Sequence, residues 1–425
     1  MIQRSYPRQS VFRTLFLFVF YNRNQNICYL CFEVENESTM AQKTDTVVKY
    51  TAIAYSLMFF VPTIFVTKGY TGSYLLGDNL TLTVITTVVM FFVLVLAQKI
   101  RVKKLTISRK LHFNQKALSL IVISISIIYL SLSTYYFINF DINYRHSGRS
   151  LSDNSLMPIF YMTALLFRAL FVSRVIRFVA NGQYHRVDRI ISTTFVVSNI
   201  LTLNSSFQGL YIIFGVIYRF FPSLYFYRMR FLSFVLALPL SMLVLYSILY
   251  IGVGNKVGVQ NVHKVVQADG LWQEWIVPRM STLQISSTHY DFGQYETLTV
   301  LKDEMLNSVA NIFVLFGAPK PAITDPWSLS RYNFHKLSKS RSKRAGASPG
   351  LVATAQMNLI FALGSLLIVV FVLRKLSLLS MDKGGVVFGL FLMIFCFYPL
   401  FLNPLNLAVP LSDLNYYFTL LLFFL

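Results

Sequence analysis

Charge is what this chain lacks most. Asp, Glu, Lys and Arg make up 13% of its 425 residues, about half the usual share of a soluble domain. Acids are the scarcer sign, 17 against 38 Lys plus Arg. With 55% of residues apolar, a globular protein of this composition has too little polar surface to cover itself, and that class is excluded. Cysteine is nearly absent too. Cys28 and Cys31 form a lone C-x-x-C without the second pair or histidines that a zinc site needs, and Cys396 lies in an apolar run. No cysteine falls between 254 and 350, so that stretch relies on no disulfide, which suits a bacterial membrane protein better than a secreted ectodomain. No G-x-x-x-x-G-K-[ST], H-E-x-x-H or G-x-S-x-G occurs, which leaves ATP-driven work, zinc peptidase chemistry and nucleophile-elbow hydrolysis unsupported. No metal and no cofactor is expected.

What the chain does have is long apolar runs, each of a length to cross ~30 Å of hydrocarbon. They predict an all-α, polytopic membrane helix bundle with spans near 50–66, 80–97, 117–138, 156–173, 231–253, 351–373, 384–402 and 411–425. The stretch 190–218 is too long for one span, and its middle, Leu203 to Gln208, is polar enough for a turn. Read as two spans, about 188–203 and 206–222, it brings the total to about ten.

The basic residues supply an orientation. Lys99, Arg101, Lys103, Lys104, Arg109, Lys110 and Lys116 crowd one gap, and Arg174, Arg177, Arg186, Arg189, Arg219, Arg228, Arg230, Arg374, Lys375 and Lys383 fall on the same side in the two-span reading. Lys68, Arg145 and Arg149 fall on the other. Residues 1–49 then form a cytoplasmic or interfacial N-terminal segment, 50–253 a bundle of about seven spans, 254–350 one large outward-facing loop, and 351–425 about three C-terminal spans. The net charge of +21 is therefore an orientation signal with membrane lipids as its natural partners, and nucleic acid is not a partner. Met1 to Thr39 reads as an interfacial segment or an over-long start, and the abrupt apolar ending suggests a missing span or tail.

The outer loop carries Trp272, Trp275 and Trp327, the only tryptophans in the chain. Arg279 and Arg331 each sit among apolar and aromatic neighbours, and Lys336 to Arg344 is a basic run ending at Gly346-Ala347-Ser348-Pro349-Gly350. A guanidinium fork suits phosphate oxygens, whereas a basic run alone serves equally as a solvated face on lipid headgroups. Arg145 and Arg149 stand in an outer gap with access to the same cavity. Arg168, near the inner end of a span, either snorkels or marks a site. The loop carboxylates show no pairing by spacing alone, and a lone loop histidine such as His335 is more often a surface residue than a catalyst.

In layout, and in the segment Arg344 to Gly350 leading into a span that holds Gly364, the chain resembles the bacterial oligosaccharide repeat-unit polymerases, the Wzy-type enzymes of O-antigen and capsule assembly. The resemblance implies a membrane glycosyltransferase of the bacterial inner (plasma) membrane that joins undecaprenyl-diphosphate-linked oligosaccharide units into O-antigen, capsular or exopolysaccharide. It implies a flippase and a chain-length regulator as further partners. Arg279, Arg331 and Arg344, with Arg145 and Arg149, would bind the diphosphate, and His335 would activate the acceptor hydroxyl. An O-antigen ligase and a polysaccharide flippase or other transporter are the alternatives.

Overall fold

A computed structural model of the chain describes residues 48–99, 115–139, 156–202, 206–227, 277–293, 329–338, 347–373 and 384–402, apart from single positions within those ranges. Three helices are long and apolar enough to cross a membrane: α1 (Val48–Thr67, 20 residues), α2 (Leu80–Lys99, of which Leu80–Gln98 qualifies) and α3 (Gln115–Asn139, of which Ser119–Asn139 qualifies). At 1.5 Å per residue each covers ~30 Å, the thickness of the hydrocarbon layer. Their outer faces are apolar, with Ile53, Leu57, Ile85, Phe92, Leu120 and Ile127 exposed, as lipid-facing surfaces must be. The chain is a multi-pass membrane protein.

The expected bundle of about ten spans is not what the described residues form. α4 (Leu156–Asn181) is 26 residues long but carries Arg168, Arg174 and Arg177 within it. The predicted break in 190–218 falls between α5 (Arg186–Leu201) and α6 (Ser206–Phe220). Those helices have 16 and 15 residues, about 24 and 22 Å, too short for the layer by themselves. In place of one helix over 351–373 there is α9 (Gly350–Met357), a break, and a helical segment resuming at 360. α10 (Val386–Leu402) is a shorter apolar helix. The spans read at 231–253 and 411–425 lie outside the described residues, as do Cys28 and Cys31.

Packing divides the helices into two groups that share one aromatic core. α3, α4, α5 and α6 pack in sequence, α5 against α6, α3 and α4. Phe171 and Phe195 stack at 4.2 Å, and Phe391 and Phe395 of α10 close over them. Such contacts add about 0.5–1.5 kcal/mol each beyond burial. Asp188 at the start of α5 is wholly buried and forks onto Arg174 of α4, Nε to Oδ1 at 2.6 Å and a terminal nitrogen to Oδ2 at 3.1 Å. The same carboxylate accepts the backbone N–H of His185 at 2.6 Å, closing a capping box.

The second group gathers α1, α2, α9 and two short helices, α7 (Val277–Ser287) and α8 (Leu329–Leu337). Two of these elements are interrupted. α1 contains a π-turn at Ser56–Phe60 followed by Pro62. Proline has no N–H to return to the preceding turn, so carbonyls there need other donors. α9 stops at Asn358, which is extended at φ −161 and ψ 132. The Asn358 side-chain oxygen then accepts the N–H of Ile360 at 2.8 Å and caps the next helical segment. Gly350 opens α9 after Pro349 at φ +80, a conformation that favours glycine, and a β-carbon there would come within 3.1 Å of the Leu283 side chain of α7.

Candidate functional site: a polar seam around α7

α7 begins with Val277-Pro278, where a proline at the first turn loses no helical bond. From Leu283 to Thr288 every side chain is buried, and so is Ser281. A helical stretch buried this fully is normally apolar all round. This one carries Ser281, Gln284, Ser286, Ser287 and, just past its end, Thr288. Each polar atom therefore needs a partner inside the protein, since an unmet buried polar group costs about 1–3 kcal/mol.

The partners come from four other elements, α1, α2, α8 and α9. Gln284 Nε2 faces three oxygens: Phe59 O at 3.1 Å, Thr63 Oγ1 at 2.6 Å and Thr87 Oγ1 at 2.9 Å. The first two belong to the π-turn and proline region of α1, where Thr63 Oγ1 itself donates to Phe59 O at 2.6 Å. Gln356 of α9 donates to Ser287 O at 2.8 Å and accepts from the Thr83 N–H at 3.3 Å. Asn333 of α8 uses its whole amide, accepting from Ser286 Oγ (2.5 Å) and Tyr290 OH (2.9 Å) and donating to Ala347 O (2.9 Å). Where α9 breaks, Gln356 O takes the Gly293 N–H at 3.2 Å. Two buried hydroxyls, Ser281 Oγ on α7 and Thr86 Oγ1 on α2, have no hydrogen-bond partner among the described residues.

A strap from the α1–α2 connection closes one end. Gly77 N donates to Thr288 Oγ1 (2.8 Å), Asn79 N to Thr288 O (3.0 Å) and Leu75 N to Leu337 O (2.9 Å). His289 Nε2 lies 2.8 Å from Leu75 O, and Lys336 Nζ donates to His289 O at 3.1 Å while lying over the Tyr290 and Tyr332 rings. Burial holds the His289 imidazole below its ordinary value of about 6.5. Lys336 acts in the same sense, and the Leu75 carbonyl and Asp78 oppose it. The folded state thus binds fewer protons than the unfolded chain near that pH. The strap's stability is complete above about pH 6.5 and is lost as pH falls toward the lowered folded value. Amide exchange at Leu75, Gly77 and Asn79 should accelerate between pH 7.5 and 5, beyond the intrinsic pH effect, and His289→Asn should abolish the excess.

The charged residues selected from the sequence are not what builds this seam. Arg279 and Arg331 stand on the backbones of α7 and α8, and Arg145, Arg149 and Arg344 lie outside the described residues. His335 is half-buried on α8, two positions and about 200° from Asn333, and it has an interaction of its own. Arg168 lies with its guanidinium 4.7 Å from the centre of the Tyr211 ring. The seam residues are amides and hydroxyls, and the signal for them was polar letters inside apolar runs: Thr83, Thr86 and Thr87 in α2 and Gln356 in α9.

The resemblance to a Wzy-type polymerase does not survive this architecture. That reading needed ten or so spans carrying an outer catalytic loop, and the described residues contain three helices long and apolar enough to cross a membrane. The O-antigen polymerase function and the membrane glycosyltransferase activity fall with it, as do the ligase and flippase alternatives. Among the described residues no three His, Cys, Asp or Glu side chains gather at one point. No protein-family model matches this chain, and neither a curated protein nor a solved structure is similar to it.

Proposed function

We propose that this chain is a multi-pass protein of the bacterial plasma membrane that binds a neutral, hydroxyl-rich ligand at the seam around α7. One observation carries the reading: a helix whose second half, Leu283–Ser287, is wholly buried yet carries amides and hydroxyls, held where α1 and α9 are both interrupted. Polar groups inside a membrane protein are expensive to maintain, and broken helices persist where they are packed in protein or line a polar site. The seam side chains around α7 are amides and hydroxyls, so hydrogen bonds to uncharged hydroxyls are their natural chemistry. Ser281 and Thr86 offer hydroxyls with unused capacity. The sugar portion of an undecaprenyl-diphosphate-linked oligosaccharide is a ligand of this kind, and placing 254–350 on the outer face would present α7 to it.

Tryptophan fluorescence provides the test, because Trp275 lies two residues before α7 and Trp327 two before α8. Protein in detergent is titrated with a neutral oligosaccharide and with a charged sugar acid. A saturable emission change with the neutral sugar, weakened about tenfold in Ser281→Ala by loss of roughly one hydrogen bond, is the expected result. A linear change identical in both proteins, with helicity intact, would remove the binding reading.

A further inference from the structure

We infer that the turn between α4 and α5, together with the corner after α6, forms a docking surface for anionic phospholipid headgroups. It is independent of the seam. From 156 to 227 the chain holds six arginines, at 168, 174, 177, 186, 189 and 219, and one carboxylate, Asp188. That carboxylate is fully committed to Arg174 and to the His185 N–H. Arg186 and Arg189 are exposed beside it, so the turn presents a cationic surface with no acid of its own left to neutralise it.

The corner brings apolar groups to the same end. Tyr184 OH donates to Arg219 O (3.5 Å), the Tyr184 ring lies 5.3 Å from that of Tyr218, and Phe178 and Phe226 meet at 5.1 Å. After Arg219 the chain turns through a 3-10 helix, Pro222–Phe226. Phe220, Phe221, Leu224 and Tyr227 all stand exposed, the first two at 63% and 57%. These rings are held outward by fixed backbone: Tyr225 is buried with its OH on Phe214 O (3.1 Å), and Gly385 N donates to Tyr225 O (2.7 Å). Arg219 is positioned too, its Nε on Thr193 Oγ1 at 3.0 Å and its guanidinium 5.0 Å from the Phe220 ring centre.

Exposed aromatics beside fixed arginines are the chemistry of the membrane–water boundary. Rings settle at headgroup depth, and guanidinium forks bind phosphate oxygens. A free phosphate would satisfy the arginines but leave four large apolar side chains in water, and an apolar partner would satisfy the rings alone. A phospholipid satisfies both, and the anionic kind adds attraction for the uncompensated charge.

The experiment places the full chain in nanodiscs of phosphatidylcholine, with or without added phosphatidylglycerol, and follows thermal unfolding and retained lipid by native mass spectrometry. Phosphatidylglycerol should raise the unfolding temperature and be retained after extraction, and high salt should remove both effects. Arg186→Gln with Arg189→Gln changes only exposed residues and should weaken phosphatidylglycerol retention about fivefold per arginine, whereas the Lys pair should keep most of it. Phe220→Ser with Phe221→Ser should weaken retention at unchanged charge. An equal response of wild type and the Gln pair would overturn the proposal. So would full reproduction of the effect by inorganic phosphate in phosphatidylcholine discs. A dimer that dissociates in the Phe variant, without any lipid response, would assign the corner to a second copy of the chain.

Discussion

Asp188→Asn is expected to destabilise the helical bundle by about 3–5 kcal/mol, the usual loss when one partner of a buried ion pair is removed. Asp188 has no exposure and Arg174 is 15% exposed, so solvent cannot replace the lost charge at the guanidinium. The pair also couples three helices: Arg174 belongs to α4, Asp188 starts α5, and Tyr218 of α6 donates its OH to Arg174 O at 3.2 Å. Asparagine keeps the shape and can still accept the His185 N–H, so the loss isolates the charge. Arg174→Met with Asp188→Leu should recover part of it, since two apolar groups leave no charge stranded, less about 1 kcal/mol for the missing cap. Unfolding in mixed micelles would measure all three proteins. A wild-type midpoint for Asp188→Asn would mean that water reaches the site.

Apolar runs made α1, α2 and α3 legible because lipid-facing helices need an unbroken sheath. Leu203 to Gln208 likewise announced the gap between α5 and α6. Span number was not legible, because it assumed that every apolar run continues through the bilayer. The run through 351–373 does not: Asn358 interrupts it with a side chain that caps the next segment, and an asparagine in an apolar run looks the same whether it caps or faces a neighbour. α7 was hidden for a further reason. Its partners lie far away in sequence, Gln284 reaching Phe59 across 225 residues, and eleven residues rich in Ser and Thr read locally as loop. Arginines drew attention in that loop because charge is conspicuous, yet uncharged amides and hydroxyls are far cheaper to bury. Arg174, Arg186 and Arg189 were read for orientation, and the carboxylate between them, which organises one of the three, passed unnoticed.

Gly77→Ala should be nearly as damaging as the loss of Asp188, at about 3 kcal/mol, although it adds a single carbon. A β-carbon at 77 would fall against the Thr288 carbonyl and 2.8 Å from His289 N. Both are backbone atoms at the end of α7, with no side-chain rotation available to relieve the clash. The strap would have to retreat and give up the bonds from Gly77 N to Thr288 Oγ1 and from Asn79 N to Thr288 O. These tie the α1–α2 connection to the helix that carries the seam. The damage should therefore be local first: exchange at Gly77 and Asn79 rises before the α3–α6 half loosens. Gly364→Ala is the control for chain entropy. A β-carbon there meets nothing within 4 Å, so alanine in that helical segment should be neutral or stabilising by up to about 1 kcal/mol. Opposite signs at the two positions would show that close backbone approach, and not glycine as such, holds the strap on α7. Equal and small effects would mean that the connection is free to move away from Thr288 without loss.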